Sequence, residues 1–93
     1  MKIKNGFILR ENMVGNDNTV GIVISVDEKV KLNGYLQLDE LGIFIWKLLE
    51  KGVTKEEIIS AILSEYEGAS KDVVEKDVES FINKLIKIGV IDE

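Results

Sequence analysis

Residues 35–52, YLQLDELGIFIWKLLEKG, decide how this chain folds. The first four read as a strand, Asp39 breaks it, and a short, very apolar helix follows at once. Asp39 suits the N-cap, because its carboxylate can accept hydrogen bonds from the free amides of the first turn. Leu38 and Ile43 stand on either side of that cap at the spacing of a hydrophobic staple. On a helical wheel Leu41, Phe44, Ile45, Leu48 and Leu49 share one face, yet Ile43 and Trp46 fall well outside it. A helix apolar on nearly every side must be covered on nearly every side. The segments before and after it are therefore expected to pack on it.

Working outward toward the N-terminus, the chain reads as β-structure. Phe7, Ile8 and Leu9 open a segment bounded by Gly6 and by the turn-rich GNDN of residues 15–18. Residues 19–25, TVGIVIS, are rich in β-branched side chains that suit a pleated surface. Gly21 within them marks a bulge or a close backbone approach. Val30, Lys31 and Leu32 alternate before Asn33-Gly34, which forms either a hairpin turn or a kink within a longer third strand. The simplest arrangement is a three-stranded antiparallel meander.

Toward the C-terminus the chain is helical and well punctuated. Gly52 closes the first helix. Thr54-Lys55-Glu56-Glu57 is a capping box, with Val53 and Ile58 as its staple. Ile58, Ile59, Ile62, Leu63 and Tyr66 follow as far as Gly68, and Ser70 caps a third helix that Gly89 ends. Asp72 in its first turn and Lys84 and Lys87 in its last match the helix dipole. Val90 and Ile91 are left to fold back. Strands first and helices second is an α+β order.

The third helix carries more apolar surface than one contact needs. Val74, Val78, Phe81, Ile82 and Leu85 form a stripe that Ile86 widens on one flank and Val73 and Ile88 on the other. The arc spans roughly 220°, against the roughly 100° of a single core-facing stripe. Either the helix is wedged deeply among the other elements, or one flank lines a groove for an apolar ligand or peptide.

Composition excludes more than it selects. The chain has 93 residues and reads as a single domain over residues 1–93; 45% of them are apolar, enough for a core. No apolar run approaches a membrane span and the N-terminus lacks a signal peptide's apolar region, so a cytoplasmic protein is expected. There is no cysteine and no histidine, which removes thiolate chemistry and the commonest general base. With 12 basic and 17 acidic residues, the net charge of −5 disfavours binding to phosphate backbones.

The chemistry-bearing residues are equally unpromising for catalysis. Glu56/Glu57, Glu75/Glu79 and Asp72/Asp77 are carboxylate pairs, but catalytic use requires one member to be desolvated. They sit on polar helix faces among lysines, and Lys71–Glu75 and Asp72–Lys76 are ordinary i,i+4 pairs. The serines have no histidine to activate them. The scattered glycines make no phosphate loop, the acidic residues make no calcium loop, and no cofactor is implied. Trp46 and Tyr66 are expected as core anchors rather than stacking platforms. What remains is a binding module.

The central residues carry a resemblance. Leu38-Asp39-Glu40-Leu41-Gly42-Ile43-Phe44-Ile45-Trp46-Lys47-Leu48-Leu49 resembles the "LNETGAxIWELL" signature of the PqqD-like family, the recognition elements for RiPP precursor peptides. The likeness continues through Gly52, Thr54, Glu56, Glu57, Ile58 and Tyr66. It ends in Asp77-Val78, Phe81-Ile82, Leu85 and Gly89-Val90-Ile91. Asp39 stands where many members have Asn, and both residues cap helices. The first third matches in pattern only.

That resemblance implies a winged-helix-turn-helix-like fold, a three-stranded antiparallel sheet followed by three helices, with no catalytic activity of its own. It implies capture of the leader segment of a ribosomally made precursor peptide and its presentation to a modifying enzyme, such as a radical SAM protein. The leader would add as a strand along Lys31, Leu32, Gly34, Tyr35, Leu36, Gln37 and Leu38. The opposing wall would come from Val74, Asp77, Val78, Phe81, Ile82 and Leu85. A free edge can instead pair with its own copy, giving a homodimer. The runner-up function is a winged-helix DNA-binding or regulatory domain, against which the acidic residues of the third helix stand.

Overall fold

A computed structural model describes residues 1–14, 18–26 and 36–91. Three strands, β1 (Phe7–Val14), β2 (Asn18–Ser25) and β3 (Leu36–Leu38), precede α1 (Glu40–Lys51), α2 (Lys55–Glu65) and α3 (Lys71–Ile88). The sheet is antiparallel in the order β1-β2-β3, so the α+β arrangement expected from the sequence is the one observed. The Asn33-Gly34 turn lies outside the described residues.

Gly21 resolves one ambiguity of the sequence. The ladder runs unbroken across it, Glu11 pairing with Gly21 and Gly21 with Leu38, so the residue marks no bulge. It marks a close approach instead. A Cβ at Gly21 would come within 2.8 Å of both Ile43 Cγ1 and Leu9 Cδ1. The missing side chain is what lets α1 lie against the sheet.

The start of α1 is locked as its residue types require. Gly42 N–H donates to Asp39 Oδ1 at 2.8 Å, and Leu38 and Ile43 are both buried around this cap. The deepest face of α1 is Gly42, Ile43, Ile45, Trp46 and Leu49. Leu41, Phe44 and Leu48 are only half-buried, so part of the face that looked most apolar on the wheel is the shallower flank. Trp46 is wholly enclosed, and its Nε1–H meets no acceptor among the described residues. Burying about 200 Å² of indole yields about 5 kcal/mol, which exceeds the cost of one orphaned donor, about 1–3 kcal/mol.

The helical half follows its punctuation. Glu57 N–H donates to Thr54 Oγ1 at 3.1 Å and Thr54 N–H donates to Glu57 Oε1 at 2.9 Å, completing the capping box. Ser70 occupies the N-cap of α3 without a side-chain cap bond. Gly89 ends α3 in the left-handed region (φ 97°), and its N–H returns to the carbonyls of Leu85 and Ile86. Val90 and Ile91 do fold back, both buried, and Ile91 bridges to Ile3. The N-terminal residues thereby become a strap: Met1 exchanges hydrogen bonds with Val53 in the turn between α1 and α2, and Lys4 N–H donates to Val90 O at 2.9 Å. No helix among the described residues is long and apolar enough to cross a membrane.

Gly21→Ala is expected to destabilise the protein. The gain in strand propensity, about 0.5–1 kcal/mol, is smaller than the overpacking cost of about 1–3 kcal/mol. A urea melt should show a lower midpoint with an unchanged slope.

Candidate functional site

Beside β3 lies a cleft of about 1160 Å³ lined by residues of the sheet and of all three described helices. β3 contributes Gln37 and Leu38, with Asp39 following. Glu40, Ile43, Phe44 and Lys47 come from α1, Glu65 and Tyr66 from the end of α2, and Phe81 and Lys84 from α3; Glu11 and Val20 complete the lining. β3 is terminal in the sheet order, so one long side of it has no neighbouring strand among the described residues.

The cleft-lining residues of α1 fall on one side of the helix, at positions 40, 43, 44 and 47, as the helical repeat dictates. Phe44 meets Tyr66 edge to face, with ring centroids 5.6 Å apart and planes at 86°. The charged residues are unevenly shared. Lys47 is tied to Glu11, Nζ to Oε2 at 3.1 Å, and Asp39 is engaged by its capping bond. Glu40 and Glu65 form no ion pair among the described residues. Their proximity is felt at Tyr66, whose phenol is pushed above its ordinary value of 10.0, first by burial and then by Glu40, Glu65 and Asp39.

The residues expected to form the site fall into four groups. Gln37, Leu38 and Phe81 line the cleft. Leu36, Val74, Val78, Ile82 and Leu85 are in the core; Leu36, Val78 and Leu85 are 0% exposed. Their side chains hold the cleft's walls in place, while the backbone of Leu36 remains part of β3. Asp77 is exposed on α3 and does not line the cleft. Lys31, Leu32, Gly34 and Tyr35 lie outside the described residues. The wide apolar arc of α3 is thus mostly core packing, with Phe81 half-buried and Val73 exposed on the flank beyond.

Sequence reasoning assigned no site role to Glu40, Phe44, Glu65, Tyr66 or Lys84. Tyr66 read as a core anchor, and it is half-buried at the cleft. The available signal was Phe44 and Lys47 with Glu40 on one side of α1, interrupting an otherwise apolar helix. Nothing in sequence order places Tyr66 or Phe81 opposite them.

An α+β domain with a terminal strand beside a helix-walled cleft has the two parts that a peptide adding as a strand would use. The family model for coenzyme PQQ synthesis protein D (PqqD) matches residues 21–91, and the chain belongs to that family. Among solved structures, TbiB1 in complex with the TbiA(beta) leader peptide matches with a TM-score of 0.67 and 28% identity. That match covers 99% of this chain and 100% of TbiB1. No curated protein matches the chain.

Two outcomes are expected from this geometry. Val78→Asp should abolish cooperative unfolding, because an unpaired carboxylate at a fully buried site costs about 4 kcal/mol or more, a large share of the about 5–15 kcal/mol that holds a domain together. Phe81→Ala, at a half-buried position, should leave a cooperative transition in the same thermal melt. Second, with Tyr35→Phe leaving one tyrosine, tyrosinate absorbance should appear above pH 10, and Glu40→Gln/Glu65→Gln should bring it lower. The raised phenol means that the folded chain holds its proton more tightly than the unfolded one. Its contribution to stability is complete below about pH 10 and is lost as pH rises through the folded value.

Proposed function

We propose that this chain is a single-domain, non-catalytic recognition element for the leader segment of a ribosomally made precursor peptide. The observation that carries the reading is the cleft itself, which residues of the terminal strand β3 and of the helix α3 line together. An extended peptide laid along β3 gains main-chain hydrogen bonds from the strand. Its alternate side chains reach the apolar wall of Phe44, Tyr66 and Phe81. The match to a leader-bound TbiB1 over the whole chain supports the same occupant.

The contact edge in this reading includes Lys31, Leu32, Gly34 and Tyr35 along with Leu36, Gln37 and Leu38. Val74, Val78, Ile82 and Leu85 act from below by fixing α3. A chain with no histidine or cysteine is poorly equipped for chemistry of its own, which supports a partner enzyme, a radical SAM protein being one candidate. The net charge of −5 speaks against nucleic acid as the occupant. The cytoplasm is the proposed place of action. Self-pairing through β3 would occupy the same edge and compete with the leader.

Titrating synthetic leader segments of any short precursor peptides encoded near its gene into the 15N-labelled chain tests the reading. Amide shifts should concentrate at residues 36–38, Phe44, Tyr66, Phe81 and Lys84, and spare the strap at residues 2–5. No binding at several hundred micromolar leader would overturn it. Sedimentation of the same samples should show any dimer dissociating as leader is added.

A further inference from the structure

The cleft is chemically lopsided. Among its lining residues are four carboxylates, Glu11, Asp39, Glu40 and Glu65, and two ammonium groups, Lys47 and Lys84. Glu11 and Lys47 neutralise each other, which leaves three negative charges against one positive. The three are not spread evenly. Asp39 and Glu40 are consecutive at the junction of β3 with α1, Glu65 adjoins Tyr66, and all three raise the energy of a negative charge on the Tyr66 hydroxyl. The three carboxylates therefore share the cleft wall with Tyr66, whose ring has Phe44 as its edge-on partner.

Such a wall suits one kind of side chain. A lysine or arginine stem lies well along aromatic surface while its charged head stays near water. The head there meets carboxylates that have no ion pair, and ring faces attract cations further. A glutamate or aspartate at the same place meets repulsion from those carboxylates. An adjacent residue of the extended peptide would turn toward the opposite side, since neighbouring side chains in a strand alternate.

Resting on the peptide-capture reading above, we propose that Glu40 and Glu65 are specificity-determining residues, and that they select a peptide carrying lysine or arginine where it crosses the Phe44–Tyr66 pair. Both are exposed, and neither is engaged in a cap bond or ion pair among the described residues, so their charge can be removed without dismantling the fold. Asp39 shares the field but also caps α1, and it is left unchanged for that reason.

The test is a parallel selection of a random dodecapeptide display library on the full chain and on its Glu40→Gln/Glu65→Gln variant, both first shown to melt cooperatively. The most enriched peptides are then synthesised and titrated by calorimetry. The expected result is enrichment of lysine or arginine flanked by apolar residues on the parent chain. The variant should still bind peptides but lose that enrichment. Changing the selected basic residue to glutamine should weaken binding to the parent about three- to tenfold and leave binding to the variant unchanged. Raising the salt should narrow the difference between the two. Peptides that bind with amide shifts along the cleft but show no basic preference, or the same preference on both proteins, would overturn the charge selection and leave peptide capture standing. A library yielding no binder on either protein would overturn both.

Discussion

The contact between α1 and the sheet at Gly21 is the constraint on which the rest of this molecule depends. A backbone without a side chain in β2 receives Ile43, one turn into the helix, at a distance that any Cβ would forbid. Once that contact is made, the side of α1 holding Trp46 and Leu49 is closed off within the core. Leu38, the last residue of β3, is buried next to the cap it precedes. The strand edge and the helix start are therefore one rigid joint, and the cleft is formed around that joint.

Burial then divides the labour along α3. The stripe of Val74, Val78, Ile82, Leu85 and Ile88 is spent on the core, and only Phe81 and Lys84 reach the cleft. Lys55 and Glu79, 3.3 Å apart, join α2 to α3 across an exposed surface, a pair worth little in itself. The packing of apolar residues is what sets the distance from α3 to β3. In the proposed function this matters, because a peptide captured by a preformed groove avoids part of the ordering cost that a collapsing site would impose.

The strap at the N-terminus adds a second closure. Met1, Ile3 and Lys4 bond to Val53, Leu49 and Val90, so the first residues tie the turn after α1 to the tail after α3. This seam, remote from the cleft lining, ties both ends of the described chain into the same core. Glu40 and Glu65 in the cleft are then free to carry charge, since both are exposed and neither takes part in a cap bond or an ion pair among the described residues.

Much of the fold was legible because it is written in local chemistry. Asp39, the Thr54–Glu57 box and Gly89 mark element ends through hydrogen bonds made within a few residues, and β-branched runs mark the strands. The motif at residues 38–49 carried the family, and the apolar content required a core. Other features lay beyond reach, because they depend on which residues face each other across long separations. Periodicity showed that α3 was apolar over a wide arc but could not say that Val78 and Leu85 point into the core while Phe81 does not. It could not bring Glu65 and Tyr66 beside Glu40 and Phe44, nor lay the first four residues against Val53 and Val90. By itself the sequence determined the order of the described elements, the caps at Asp39 and Thr54 and the family; the tertiary packing decided which side of each helix was left for a ligand, because burial is a property of pairs of surfaces and not of one segment.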